Sequence, residues 1–141
     1  MPVKHCVKGT DGWQIVPGLE IENCEYIDKP TFGWLNWDGF AEDDKIELIG
    51  VCTDICVVSN AIILKAKYPE TVISVDADCC AGVTPEKHKA ALETMKSARL
   101  MFLRENVRKY FVIVEITVEK YDWIKGEKMK NYVYMTDKDN V

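Results

Sequence analysis

The sequence predicts an α/β fold built on a parallel sheet, and three stretches carry that prediction. Ile46 to Val51 is a short apolar run broken only by Glu47, and helical spacing follows it from Asp54 to Tyr68. Thr71 to Val75 is a second apolar run, and after the turn Asp76 to Gly82 the triplet Thr84-Pro85-Glu86 opens another helix. Strand, helix, strand, helix with short links is the signature of right-handed βαβ units. Tyr110 to Val118 adds a further strong strand signal.

Taken in order, Met1 to Leu19 is punctuated by Pro2, Gly9, Gly12, Pro17 and Gly18 and reads as loop. Glu20 to Ile27 alternates loosely, as a short edge-type strand does, and Pro30 stops it and biases Lys29 towards an extended backbone. Phe32, Trp34, Trp37 and Phe40 punctuate a segment that reads as loop running into a short helix; these aromatics suit a core plug or a pocket wall. Val57, Ala61, Leu64 and Tyr68 share one face of the first helix, with Thr53 or Asp54 placed to cap it. Thr84 fits the N-cap and Pro85 the first helical position of the second, which should run through Ala91, Leu92 and Met95 to about Arg99. In the last forty or so residues, Tyr110 to Val118 and Tyr132 to Thr136 flank a polar, lysine-rich stretch. They read as a β-hairpin or as two sheet-edge strands.

Chemistry concentrates where the first buried strand meets its helix. In L-I-G-V-C-T-D-I-C-V, Leu48 to Val57, Cys56 sits at a helix start, where unpaired backbone N–H groups and the helix dipole favour a thiolate. Cys56 is therefore the candidate nucleophile. Cys52 and the Asp76 to Cys80 turn fall at the same carboxyl edge, where sites in parallel sheets form.

The 141 residues, 48% of them hydrophobic, suffice for one ordinary domain. A net charge of -5 disfavours nucleic acid or an anionic membrane as main partner. Without a membrane-length apolar run or a signal-peptide core at the N-terminus, a cytoplasmic protein is expected, and its six cysteines are expected to be reduced thiols. A zinc cluster from Cys52, Cys56, Cys79, Cys80 and His88 is disfavoured, because C-x3-C followed by C-C lacks paired C-x2-C knuckles. His88 reads as a helix-surface residue.

Four pieces in order, H-C-V-K-G-T-D-G-W at His5 to Trp13, D-K-P-T-F-G at Asp28 to Gly33, G-V-C-T-D-I-C-V at Gly50 to Val57 and V-D-A-D-C-C-A-G-V-T-P-E-K-H at Val75 to His88, resemble the isochorismatase-like cysteine hydrolases, closest to the nicotinamidase-type amidohydrolases. The resemblance implies a Rossmann-like three-layer α/β fold and a catalytic Asp, Lys and Cys, with a thioester formed by the cysteine. It implies Cys56 as nucleophile, Lys29 as catalytic lysine, a cis peptide between Val51 and Cys52, and an oxyanion hole from the N–H groups of Cys52 and Cys56. Phe32 and Trp34 would line the substrate pocket, and His5 would be a ligand of a divalent metal (Zn, Fe or Mn) whose ligand set is incomplete here.

Two departures from the family pattern stand out. The apolar strand that ends in the catalytic Asp, and an Asp-x-His pair of metal ligands, would both precede His5, and neither is found there. The expectation is an N-terminally truncated hydrolase domain over residues 1–100, with an unfamiliar strand-rich extension over 101–141. Asp54, Asp76 and Asp78 are the acids left to replace the missing one, Asp54 reading first as a helix cap and the others as turn residues. Loss of the first strand would expose the edge of the strand ending at Val51, which either Tyr110 to Val118 or a second copy of the chain would cover. The expected function is hydrolysis of a small amide, nicotinamide first, by a homo-oligomer. The alternative is a relative that has lost catalysis and serves as a binding or structural protein, and isochorismate-type ether hydrolysis is a third option within the family.

Overall fold

The computed structural model describes residues 7–15, 17, 24–41, 44–100, 111–115 and 131–136; Cys24 and the last two segments are described through their backbone. A five-stranded sheet runs in the order β1-β5-β4-β2-β3, with β1 at Cys24–Lys29, β2 at Lys45–Val51, β3 at Val72–Ala81, β4 at Phe111–Glu115 and β5 at Asn131–Thr136. Every neighbouring pair is parallel. Two helices, α1 at Val58–Lys67 and α2 at Pro85–Ser97, pack on each other and on β3.

The β2-α1-β3-α2 order follows the sequence pattern, and β1 lies at a sheet edge as its loose alternation predicts. On β2, Ile46 and Leu48 are fully buried; from α1, Val57, Ala61 and Leu64 press onto them together with Ile73, Val75 and Met95. Trp37 and Phe40 close this core from the preceding segment, where Tyr68 meets Phe40 edge-on at 5.6 Å and donates to the Trp37 carbonyl at 2.8 Å. These two aromatics are core, while the short helix expected there does not form among the described residues. Thr84 caps α2 by accepting from the Lys87 N–H, and Pro85 occupies its first position.

Three expectations are corrected. β3 continues through Asp76 to Ala81, a stretch expected to be a turn; a register shift against β2 between Leu48 and Gly50 accommodates the longer strand. Asp54 is not a cap: its Oδ1 accepts from the Val83 N–H at 2.8 Å, so the carboxylate ties two turns together. The C-terminal strands form neither a hairpin nor a sheet edge, because β4 and β5 pair parallel with each other inside the sheet, β4 against β2 and β5 against β1. A hairpin needs only a short turn, whereas residues 116–130 are long enough for the crossover of a dozen or more residues that parallel neighbours require. Of the two ways to cover the edge of β2, the segment within Tyr110 to Val118 is the one observed.

Candidate functional site

β2 ends at Gly50 and Val51, and the peptide between Val51 and Cys52 is cis. Gly50 has φ +115°, a conformation that residues with a Cβ rarely adopt, so glycine is required where the strand turns into the site. Thr53–Val57 then forms a π-helical turn before α1 begins, a local geometry often found at functional sites. The Cys52 carbonyl closes that turn by accepting from the N–H groups of Ile55 and Val57. Cys56 lies on the turn with 4% of its surface exposed.

Lys29, the last residue of β1, is 1% exposed, and its Nζ donates to the Phe32 carbonyl at 2.9 Å. Burying an ammonium is costly unless other groups compensate it, so its position is a built feature. The same Phe32 carbonyl accepts from Asn60 Nδ2 at 3.0 Å, and that amide also donates to the Cys56 carbonyl at 3.1 Å. Asn60 Oδ1 in turn accepts from the Trp34 N–H at 2.7 Å and from Trp37 Nε1 at 3.3 Å. Asn60 is fully buried. It thus holds the segment after Lys29 against the turn that carries Cys56, and the two candidate catalytic residues are brought to one place.

Phe32 and Trp34 are half-buried at this junction, and Trp34 also packs against the core. Trp34 Nε1 is buried with no acceptor among the described residues. On the other side, Thr53 Oγ1 and His88 Nδ1 share a hydrogen bond of 2.8 Å, so His88 is a brace of the turn that carries Cys56 rather than a helix-surface residue. Gly82 packs so closely there that an added Cβ would come within 2.8 Å of Asp54 Oδ1 and of the His88 backbone.

Cys52, Cys56, Cys79 and Cys80 are all free thiols. Burial, aided by the nearby carboxylates of Asp76, Glu47 and Asp78 and a hydrogen bond to Asp76, pushes the Cys79 thiol up to about 11. Burial pushes Cys80 up to about 12. Both therefore stay protonated at neutral pH and are poor nucleophiles. His5 lies outside the described residues. Among those described, no group of three or more His, Cys, Asp or Glu could hold a metal ion. No described helix is long and apolar enough to cross a membrane.

With this geometry, residues 1–104 match the isochorismatase domain. The chain belongs to the isochorismatase family. A nicotinamidase/pyrazinamidase of Mycobacterium tuberculosis is similar to this isochorismatase-family chain at 28% identity over 113 residues, an alignment covering 67% of the chain and 58% of that relative. The chain thus spans well under two thirds of the curated relative it matches.

Sequence reading singled out Cys56, Lys29 and the Val51–Cys52 peptide but missed Asn60. Its signal was present: a polar residue one helical turn after Cys56, next to the apolar stripe of Val57, Ala61 and Leu64. The Thr53–His88 pair spans 35 residues and carried no local signal.

Proposed function

We propose that the chain is a cysteine hydrolase of the amidase type that cleaves the C–N bond of a small amide, nicotinamide being the first substrate to test. The observation that supports this best is the link from buried Lys29 through the Phe32 carbonyl and Asn60 to Cys56, which joins a nucleophile and a cation from separate elements. Family membership supports the cysteine-hydrolase reading, and the similarity to a nicotinamidase/pyrazinamidase supports the amide. In this reading the Cys56 sulfur attacks the amide carbonyl, the N–H groups of Cys52 and Cys56 receive the developing oxyanion, and Lys29 balances negative charge. Amine departs, and water hydrolyses the thioester. Phe32 and Trp34 wall the substrate, and the Trp34 indole N–H is a donor that a substrate acceptor would satisfy. The remaining layers of the family fold, and a cytoplasmic homo-oligomeric state, belong to the same reading.

Ammonia release from nicotinamide decides the matter. Release by the wild-type chain, lost in Cys56→Ala, is the expected result; no release above blank, from nicotinamide or from a panel of small primary amides, overturns it. The second reading is a binding or structural relative without turnover. It is favoured by one observation, that Asp54, the acid nearest Cys56 in sequence, is engaged by the Val83 N–H.

A further inference from the structure

We propose that Glu115, the last residue of β4, is the proton-transfer partner of Cys56, so that the C-terminal part of the chain completes a site begun by β1 and β2. The proposal rests on the amidase reading above. A thiol that attacks an amide needs a group that accepts its proton and returns it to the departing nitrogen. Of the carboxylates described near the site, Asp54 accepts from the Val83 N–H, Asp76 from the Asp78 N–H, and Asp28 from Lys8, while Glu47 and Asp78 lie beside Cys79 on β2 and β3.

β4 supplies another. It lies between β5 and β2, parallel to both, so its carboxyl end falls at the edge that carries Cys52 and Lys29. Glu115 pairs in register with Gly50, two residues before Cys52. On the other side it pairs with Tyr134, which pairs with Ile27, two residues before Lys29. One ladder row therefore runs from the approach to the lysine, through Glu115, to the approach to the nucleophile turn, with neighbouring strands about 4.8 Å apart. Glu115 closes the apolar run F-V-I-V-E, which places an acid at the carboxyl end of a strand with partners on both sides.

The step balances. The Cys56 S–H proton passes to the Glu115 carboxylate as the S–C bond forms. The carboxylic acid then protonates the amide nitrogen as the C–N bond breaks, releasing the amine. In hydrolysis the carboxylate takes a proton from water as its oxygen attacks the thioester, and returns it to the departing sulfur. The net change is amide plus water to acid plus amine.

The test reads the proton on Cys56 without requiring the substrate. Iodoacetamide alkylation of Cys56 in the full chain is followed against pH by peptide mass spectrometry, in wild type, Glu115→Gln, Glu115→Asp and the exposed control Glu70→Gln. The wild-type profile is expected to show a second inflection in the carboxylate range, about pH 4 to 7, beside that of the thiol. Glu115→Gln should remove that inflection and cut amide turnover about a hundredfold or more. Glu115→Asp should keep the inflection, and Glu70→Gln should behave as wild type. A single inflection in wild type, or a profile unchanged in Glu115→Gln, overturns the proposal; the wild-type arm decides even if Glu115→Gln fails to fold. A coupled inflection without ammonia release from any amide would instead overturn the amidase reading and leave the coupling of Glu115 to the thiol standing.

Discussion

Asn60 is the residue on which the site's geometry turns, because four hydrogen bonds converge on one buried amide. Replacing it by leucine keeps the volume and leaves buried donors and acceptors of Phe32, Trp34 and Cys56 without this partner. Each such group costs about 1–3 kcal/mol, although some will find water. Asn60→Leu is therefore expected to lower stability by about 2–4 kcal/mol, read as the urea midpoint at unchanged m-value. Lys29→Met removes the buried ammonium that donates to the Phe32 carbonyl, so in the amidase reading it should lose turnover, with a melting temperature below that of wild type. A melting temperature equal to or above that of wild type would show that the ammonium is held at a cost to the fold. Glu47, half-buried on β2, has its carboxyl held above the usual range first by burial and then by Asp76. A carboxyl raised on folding favours the native state fully below its unfolded value, and that contribution is lost as pH rises through the folded value. Glu47→Gln should thus raise the melting temperature more at pH 8 than at pH 4; an equal change at both would exclude this cause.

At the scale of elements, the π-helical turn Thr53–Val57 is braced from α2 and the turn before it. Asp54 is fixed by the Val83 N–H, Thr53 by His88, and Gly82 packs against both Asp54 and His88. A methyl group at Gly82 would meet the His88 backbone, which cannot swing aside as a flexible side chain does. Gly82→Ala is expected to displace α2 from the turn, and in the amidase reading to lower kcat more than it raises KM, since the turn of Cys56 rather than the segment of Phe32 and Trp34 is disturbed. Gly33→Ala is the control. Its added methyl meets the end of the flexible Ile63 side chain, and activity should change little. The α2 cap was legible from Thr84-Pro85 because capping is local chemistry. Asp54 sits equally well placed for a cap by sequence, and only the approach of Val83, 29 residues away, claims it for another role.

At the scale of the molecule, the sheet is continuous because β4 and β5 enter it between β1 and β2. The edge of β2 is thereby paired within the chain, so no second copy is needed there. Backbone amides of Phe111–Glu115 should resist hydrogen exchange about as well as those of Lys45–Val51, since both sit in ladders with partners on two sides. Rapid exchange in β4 alone would show that the strand does not hold its place. Ile113→Pro, which removes an N–H from an interior strand, should unfold the chain or lower its melting temperature sharply, with Cys56 becoming fully open to alkylation.

By itself the sequence determined the elements and the chemistry they carry. Hydrophobic runs of strand length, helical spacing after them, a cap at Thr84 and the cysteine turn at Gly50 to Cys56 are all set by local steric and hydrogen-bonding rules acting over a few residues. The direction and order of the last two strands were not legible in this way. An apolar strand such as Tyr110 to Val118 pairs equally well parallel or antiparallel, at an edge or inside, and the choice is made by which open ladder and which crossover length the rest of the chain offers. The same reason separates Cys56 and Lys29, recognisable from their own neighbours, from Asn60, His88 and Glu115. What those three do depends on partners far along the chain, Phe32 and Trp34 for Asn60, Thr53 for His88 and Gly50 for Glu115, and only the tertiary structure brings them together.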